Sequence, residues 1–158
     1  MSFNFDELLS QGKDAADLVT QNESEINEVL INLLDSISRF MELDIKFTEQ
    51  DQYEGDNKPA FYKIATMLEP GKKTGYSYIL IVNEETGVSK TLMTIKRSSE
   101  GYPIKVVHDK NHYSADNQSE FAQAVGSVVS NSQTHLMFRG FKRSVEEKRQ
   151  QILGTDNS

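Results

Sequence analysis

The stretch Tyr76–Lys96, YSYILIVNEETGVSKTLMTIK, decides the fold. Its first eight residues are the most β-prone run in the chain, rich in aromatic and β-branched side chains, and predict a central strand. Glu84-Glu85-Thr86-Gly87 has the composition of a hairpin loop, with glycine at a left-handed position, and the chain returns in a second strand over Val88–Lys96. Two long adjacent strands joined by a short loop set an antiparallel sheet as the frame.

Reading outward toward the N-terminus, Glu69–Gly75 is punctuated as a turn and Ala60–Leu68 as a strand. The polar run Glu49–Pro59 (EQDQYEGDNKP) is expected to be a loop, and Leu43, Ile45 and Phe47 alternate with polar residues as in a half-buried strand. Toward the C-terminus, Ser98–Gly101 is a turn, and Tyr102–His108 and His112–Ala115 form a short hairpin about Asp109-Lys110-Asn111.

Helical periodicity governs both ends. Asn4 with Glu7 fits a capping box, followed by Phe5, Leu8, Leu9, Ala16 and Val19 at helical spacing. Asn22 with Glu25 repeats the cap pattern ahead of a broad apolar stripe from Ile26 to Met41, so a helical hairpin or one kinked helix is expected. Asp116 or Asn117 caps a further helix with Phe121, Val125, Val128 and Val129 on its buried face, and His135 to about Gln151 forms the last helix. The expected fold is α+β: an antiparallel β meander of about five or six strands packed by an N-terminal helical hairpin and C-terminal helices. Residues 1–153 are read as a single domain, with a helical segment over 1–41, the sheet over 42–115, C-terminal helices over 116–153 and a frayed tail over 154–158.

A chain of 158 residues suits one core, since domains of this size bury roughly 70% of the surface exposed by the unfolded chain. It has no run long enough to span a membrane and no basic, apolar leader at its start, so no membrane partner is expected. The absence of cysteine removes disulfides, thiolate zinc sites and cysteine nucleophiles, and fits a cytoplasmic location.

Charge is distributed unevenly. Residues 1–60 carry 14 acidic and 4 basic side chains, a net of −10; residues 61–158 carry 10 acidic and 13 basic, a net of +3, which sum to the whole-chain −7. An acidic front half favours a basic partner surface over nucleic acid or anionic lipid. The candidate binding residues are Asp14, Asp17, Glu23, Glu25 and Glu28 in the helical segment, with Glu49, Asp51, Glu54 and Asp56 in the following loop.

Two further groups of residues carry other chemistry. His108, Asp109 and His112 flank a turn and could supply metal ligands, although a hairpin can equally direct the two imidazoles to opposite faces. Arg139, Lys142, Arg143, Lys148 and Arg149, with Phe138 and Phe141 between them, resemble a nucleic-acid contact, but Glu146 and Glu147 dilute the patch and the phenylalanines fit a core. That basic helix could instead dock on the acidic N-terminal segment. The GKKTG run at Gly71–Gly75 lacks phosphate-loop spacing and no nucleophile motif is present. No cofactor is expected. The sequence therefore predicts a non-catalytic protein-binding module of the inhibitor or adaptor kind that recognises a basic partner. The alternatives are a small metal-dependent enzyme at His108/His112 or a nucleic-acid-associated protein. Homodimerisation through the N-terminal helices is expected if Leu30, Leu34 and Ile37 stay exposed.

Overall fold

The computed structural model describes residues 2–56 and 71–156. The chain begins with one helix, α1 (Phe5–Met41), of 37 residues, about 55 Å long at the usual rise. Of the two forms expected, the hairpin is corrected: the segment is one helix, as the alternative had it. The reason lies in the phase of the apolar stripe: at about 100° per residue, Phe5, Gly12, Val19, Ile26, Leu33 and Ile37 fall on one side without a break, and the intervening TQNESE contains no glycine or proline to stop propagation. Asn4 is the true N-cap, its side chain accepting from the Glu7 amide, and Glu42 ends the helix in a left-handed conformation with φ 55°. Asn22 caps nothing and instead donates its side-chain amide to the Glu100 carbonyl at 3.0 Å.

Among the described residues five strands follow: β1 (Lys46–Tyr53), β2 (Lys73–Asn83), β3 (Val88–Ser98), β4 (Gly101–His108) and β5 (Asn111–Ala115). They form an antiparallel meander in the order β1-β2-β3-β4-β5. Two helices close the chain, α2 (Gln118–Val129), capped by the Asn117 side chain, and α3 (Ser132–Asp156). This is the expected α+β arrangement. The expected strand Ala60–Leu68 lies outside the described residues.

Two local expectations shift. Leu43 and Ile45 are buried but precede the ladder, whereas Lys46–Tyr53, including most of the polar run EQDQY, pairs with β2. Cross-strand partners outweigh low intrinsic propensity there, and charges along an edge strand discourage pairing with foreign chains. In β3 the register slips between the pairs Ile79↔Met93 and Leu80↔Thr91, so Leu92 is an extra residue. This bulge lets consecutive Leu92 and Met93 both be buried, which strict alternation forbids.

The core lies between the helices and the sheet face carrying Ile79, Ile81, Ile95, Ile104 and Val106. Against it pack Ile26 and Ile37 of α1, Phe121 and Val128 of α2, and Phe141 and Val145 of α3, all buried. The β2–β3 loop is organised by Asn83. Its side-chain oxygen accepts from the Thr86 amide and hydroxyl, at 3.1 and 2.7 Å, while its amide donates to the Asp44 carbonyl at 2.9 Å. One buried asparagine thus shapes the turn and fastens the α1–β1 connection.

The middle of α1 meets the sheet at Gly101, whose φ is +92°; a Cβ there would lie 3.0 Å from the Asn22 Cβ. Gly126, in α2, has nothing within 4 Å of the corresponding position. Gly101→Ala is expected to lower stability by about 2 kcal/mol through backbone strain and crowding, and Gly126→Ala to raise it by about 0.5–1 kcal/mol. Urea-denaturation midpoints of the two variants check both signs.

Candidate protein-binding surface on the first helix

The helical period sorts the acidic residues of α1. At about 100° per residue, Asp14, Asp17, Glu25 and Glu28 fall in one sector of about 80°, on the side away from the core, and Glu23 lies on the opposite side. Glu7 and Asp35 join the sector, giving six carboxylates on a line of about 42 Å. These two were not among the residues singled out from sequence; a helical projection of one uninterrupted helix, unlike two shorter ones, places them there. All six are exposed except half-buried Glu25. Lys13 pairs with Asp17 at 2.9 Å and Arg39 falls at the C-terminal end of the stripe, where its charge complements the helix dipole.

Such a stripe is unfavourable to the isolated helix. Like charges three or four residues apart, as in Asp14/Asp17 and Glu25/Glu28, each cost about 0.2–0.5 kcal/mol. Asp35 additionally sits toward the negative end of the helix dipole.

The acidic residues of β1 are placed differently. Glu49 is ion-paired to Arg97 at 2.5 Å, and Asp51 to Lys73 at 3.1 Å, which holds the Lys73 ammonium above its ordinary pKa through that hydrogen bond and charge. Asp56 accepts from the Tyr53 amide and the Tyr78 hydroxyl, at 3.0 and 3.1 Å. Burial, with the Asp56 charge, raises the Tyr78 phenol. Glu54 stands in the turn after β1. The chain thus neutralises or occupies most of its β1 carboxylates internally, and the nine acidic candidates do not form one face.

His108 and His112 are separated by the strand register. Val107 pairs with His112 and His108 with Asn111, so the two imidazoles occupy neighbouring rows and project from opposite faces of the hairpin. Among the described residues no group of three or more His, Asp or Glu side chains could hold a metal ion. His108 lies on the helix side, in a cleft of about 440 Å³ with Asp109, Gln133 and Thr134. The Thr134 hydroxyl is 2.7 Å from the Val128 carbonyl and 3.0 Å from His108 Nε2. A hydroxyl has one proton; with it on the carbonyl, His108 Nε2–H donates to Thr134. A general base would have to accept the hydroxyl proton, so this His–Thr contact has the wrong polarity to activate a nucleophile. It ties the β4–β5 turn to the α2–α3 junction.

Of the basic residues of α3, Arg139, Lys142, Arg143 and Arg149 fall in one sector of about 120° with Glu146 inside it, and Lys148 lies apart. Arg139 and Arg143 point outward beside Glu146 and Glu147, and Arg149 pairs at 2.9 Å with Glu85 of the β2–β3 loop. Among the described residues no ion pair joins α3 to α1, so the expected docking of basic on acidic helix is replaced by aromatic contact: His135 and Phe138 meet Phe40 edge-on and tilted. The expected dimer face is also altered, because Ile37 is buried and Leu30 and Leu34 pack against the core.

Large apolar side chains are exposed at several places, among them Leu18, Ile31 and Phe40 of α1 and Leu136 and Leu153 of α3, and they cluster in sequence at the start of α1. Phe5, Leu8 and Leu9 are 61%, 58% and 70% exposed, and Phe3 stacks on Phe5 with ring centroids 5.5 Å apart. α1 is therefore two-sided where it leaves the body: acidic on one side, apolar on the other. No described helix is long and apolar enough to cross a membrane. No protein-family model, curated protein or solved structure matches the chain.

Thr134→Val removes the acceptor for His108 and the donor to Val128, and is expected to cost about 1–3 kcal/mol in urea denaturation. Tyr102, beside Glu25, has a buried hydroxyl with no hydrogen-bond partner among the described residues, and burial followed by the Glu25 charge raises its pKa. Tyr102→Phe is therefore expected to be neutral or to stabilise by up to about 1 kcal/mol at neutral pH. A raised phenol pKa means the folded state holds its proton longer, so wild-type stability is lost as pH rises through the unfolded value of about 10. The advantage of the phenylalanine variant should widen above that pH, as denaturation at a series of alkaline pH values would show.

Proposed function

We propose that this chain is a non-catalytic cytoplasmic protein-binding module, of the inhibitor or adaptor kind, that recognises a basic protein through the acidic stripe of α1. The observation that supports this reading is the alignment of Glu7, Asp14, Asp17, Glu25, Glu28 and Asp35 on one side of a single helix, with Lys13 and Arg39 as the cations of that helix. The stripe persists against its intrinsic electrostatic cost to the helix: of its six carboxylates, Asp17 is paired with Lys13 and Glu28 accepts from the Gln118 side-chain amide at 3.2 Å, whereas both carboxylates of β1, Glu49 and Asp51, are matched by cations of the same chain. A cationic surface laid along α1 would relieve that repulsion and gain long-range steering.

Capture of partners on immobilised wild-type protein, in parallel with an Asp14→Lys/Asp17→Lys/Asp35→Lys variant, tests the reading. All three positions are exposed, so the variant should keep its helical circular dichroism. A partner held through the stripe should be lost on the variant, and its association rate with wild type should fall roughly tenfold or more between low and high salt. A partner retained by the variant, or one that binds equally fast at both ionic strengths, would contradict the proposal.

A further inference from the structure

We infer that the N-terminal part of α1 is the pairing surface for a second copy of this chain, joined antiparallel about a two-fold axis at Gly12. The apolar stripe of α1 is continuous, but among the described residues only its second half is covered. From Ile26 onward it packs on the sheet, whereas over Phe5–Ala16, about 18 Å of helix, it is exposed, Phe5, Leu8 and Leu9 included, and Val19 at its base is half-buried. A helical segment of this length is marginal on propensity alone, and Gly12 weakens it further. The same stripe that forms the intramolecular interface thus continues, uncovered, beyond it.

The order of side chains along the free segment identifies the occupant. The stripe positions 5, 8, 9, 12, 15, 16 and 19 are spaced symmetrically about 12, and bulk is distributed unequally: Phe5, Leu8 and Leu9 on one side of Gly12, Ala15, Ala16 and Val19 on the other. Antiparallel pairing sets Phe5 opposite Val19, Leu8 opposite Ala16 and Leu9 opposite Ala15, so that large meets small at every level. Gly12 faces itself at the axis, where the absence of a Cβ allows the backbones to come close; among the described residues nothing outside the helix's own neighbouring turns lies within 4 Å of that position. Parallel pairing would set Phe5 on Phe5 and alanine on alanine, crowding one end and leaving the other hollow.

A second, independent feature agrees. At the base of the free segment lies an apolar cavity of about 210 Å³ lined by Ala15, Ala16, Leu18, Val19, Asn22 and Glu100. Antiparallel pairing delivers the Phe5 ring of the other copy to Val19, at this cavity. The acidic stripe points away from the pairing side, so like charges stay apart and both stripes remain open to a basic partner.

The test is the solution mass of the full chain across a hundredfold range of micromolar concentration. Wild type should rise from 17.9 kDa toward twice that value, and Leu8→Glu/Leu9→Glu should stay at the monomer mass with its circular dichroism and dilute-solution melting temperature unchanged. The chain has no cysteine, so orientation is read by cross-linking. A mixture of Leu8→Cys and Ala16→Cys chains should form a covalent heterodimer under mild oxidation, Gly12→Cys should link to itself, and Leu8→Cys alone should not. A constant monomer mass, a dimer that survives Leu8→Glu/Leu9→Glu, or self-linking of Leu8→Cys would each overturn the proposal. The Asp14→Lys/Asp17→Lys/Asp35→Lys variant should still double its mass, so failure here and failure of the acidic-stripe reading are distinguishable.

Discussion

A single apolar stripe along α1 constrains the rest of the molecule. Its second half, from Ile26 to Met41, is buried against the sheet and α2, and fixes where the helix crosses β4 at Gly101. Because a helix is stiff and its side chains keep a fixed phase, anchoring that half determines the direction of the other. The free half is then held out from the body with its apolar and acidic sides in defined orientations. Asn83 and the Thr134–His108 contact serve the same end by fastening the loops at the sheet's edges, so that the helix has a rigid platform.

The sequence carries much of this in readable form. The run Tyr76–Asn83 lies in the interior strand β2, one place from the centre, Gly87 takes the left-handed position in its loop with φ +74°, and Asn4 and Asn117 are caps. What misleads is local chemistry overruled by long-range order. Asn22 and Glu25 present the pattern of a helix start, yet a helix already running through them has no reason to stop, and Asn22 is used for a tertiary bond to Glu100. The polar EQDQY run has little strand propensity, yet β2 supplies a ladder for it, and Lys73 of β2 and Arg97 of β3 match its charges.

The candidate site was legible in part. Acidity of the front half is visible as a count, but its division into an outward stripe on α1 and an internally paired set on β1 depends on helix continuity and strand pairing. The separation of His108 from His112 is likewise a matter of register, which a one-residue slip would reverse. The exposure of Phe5, Leu8 and Leu9 could not be read at all from periodicity, since an amphipathic stripe looks the same whether its cover is the same chain, a second copy or a partner. Length is the missing signal: α1 is longer than the body it packs on.

The central claim is that the first part of α1 is a binding element whose structure depends on being covered. Amide hydrogen exchange of residues 5–19, measured in dilute and in concentrated protein, addresses it most directly. Protection of these amides is predicted to rise with concentration while that of Ile26–Met41 stays constant. Exchange over residues 5–19 that is slow and independent of concentration would contradict the account, because the free segment would then be a self-sufficient helix with no need of a cover.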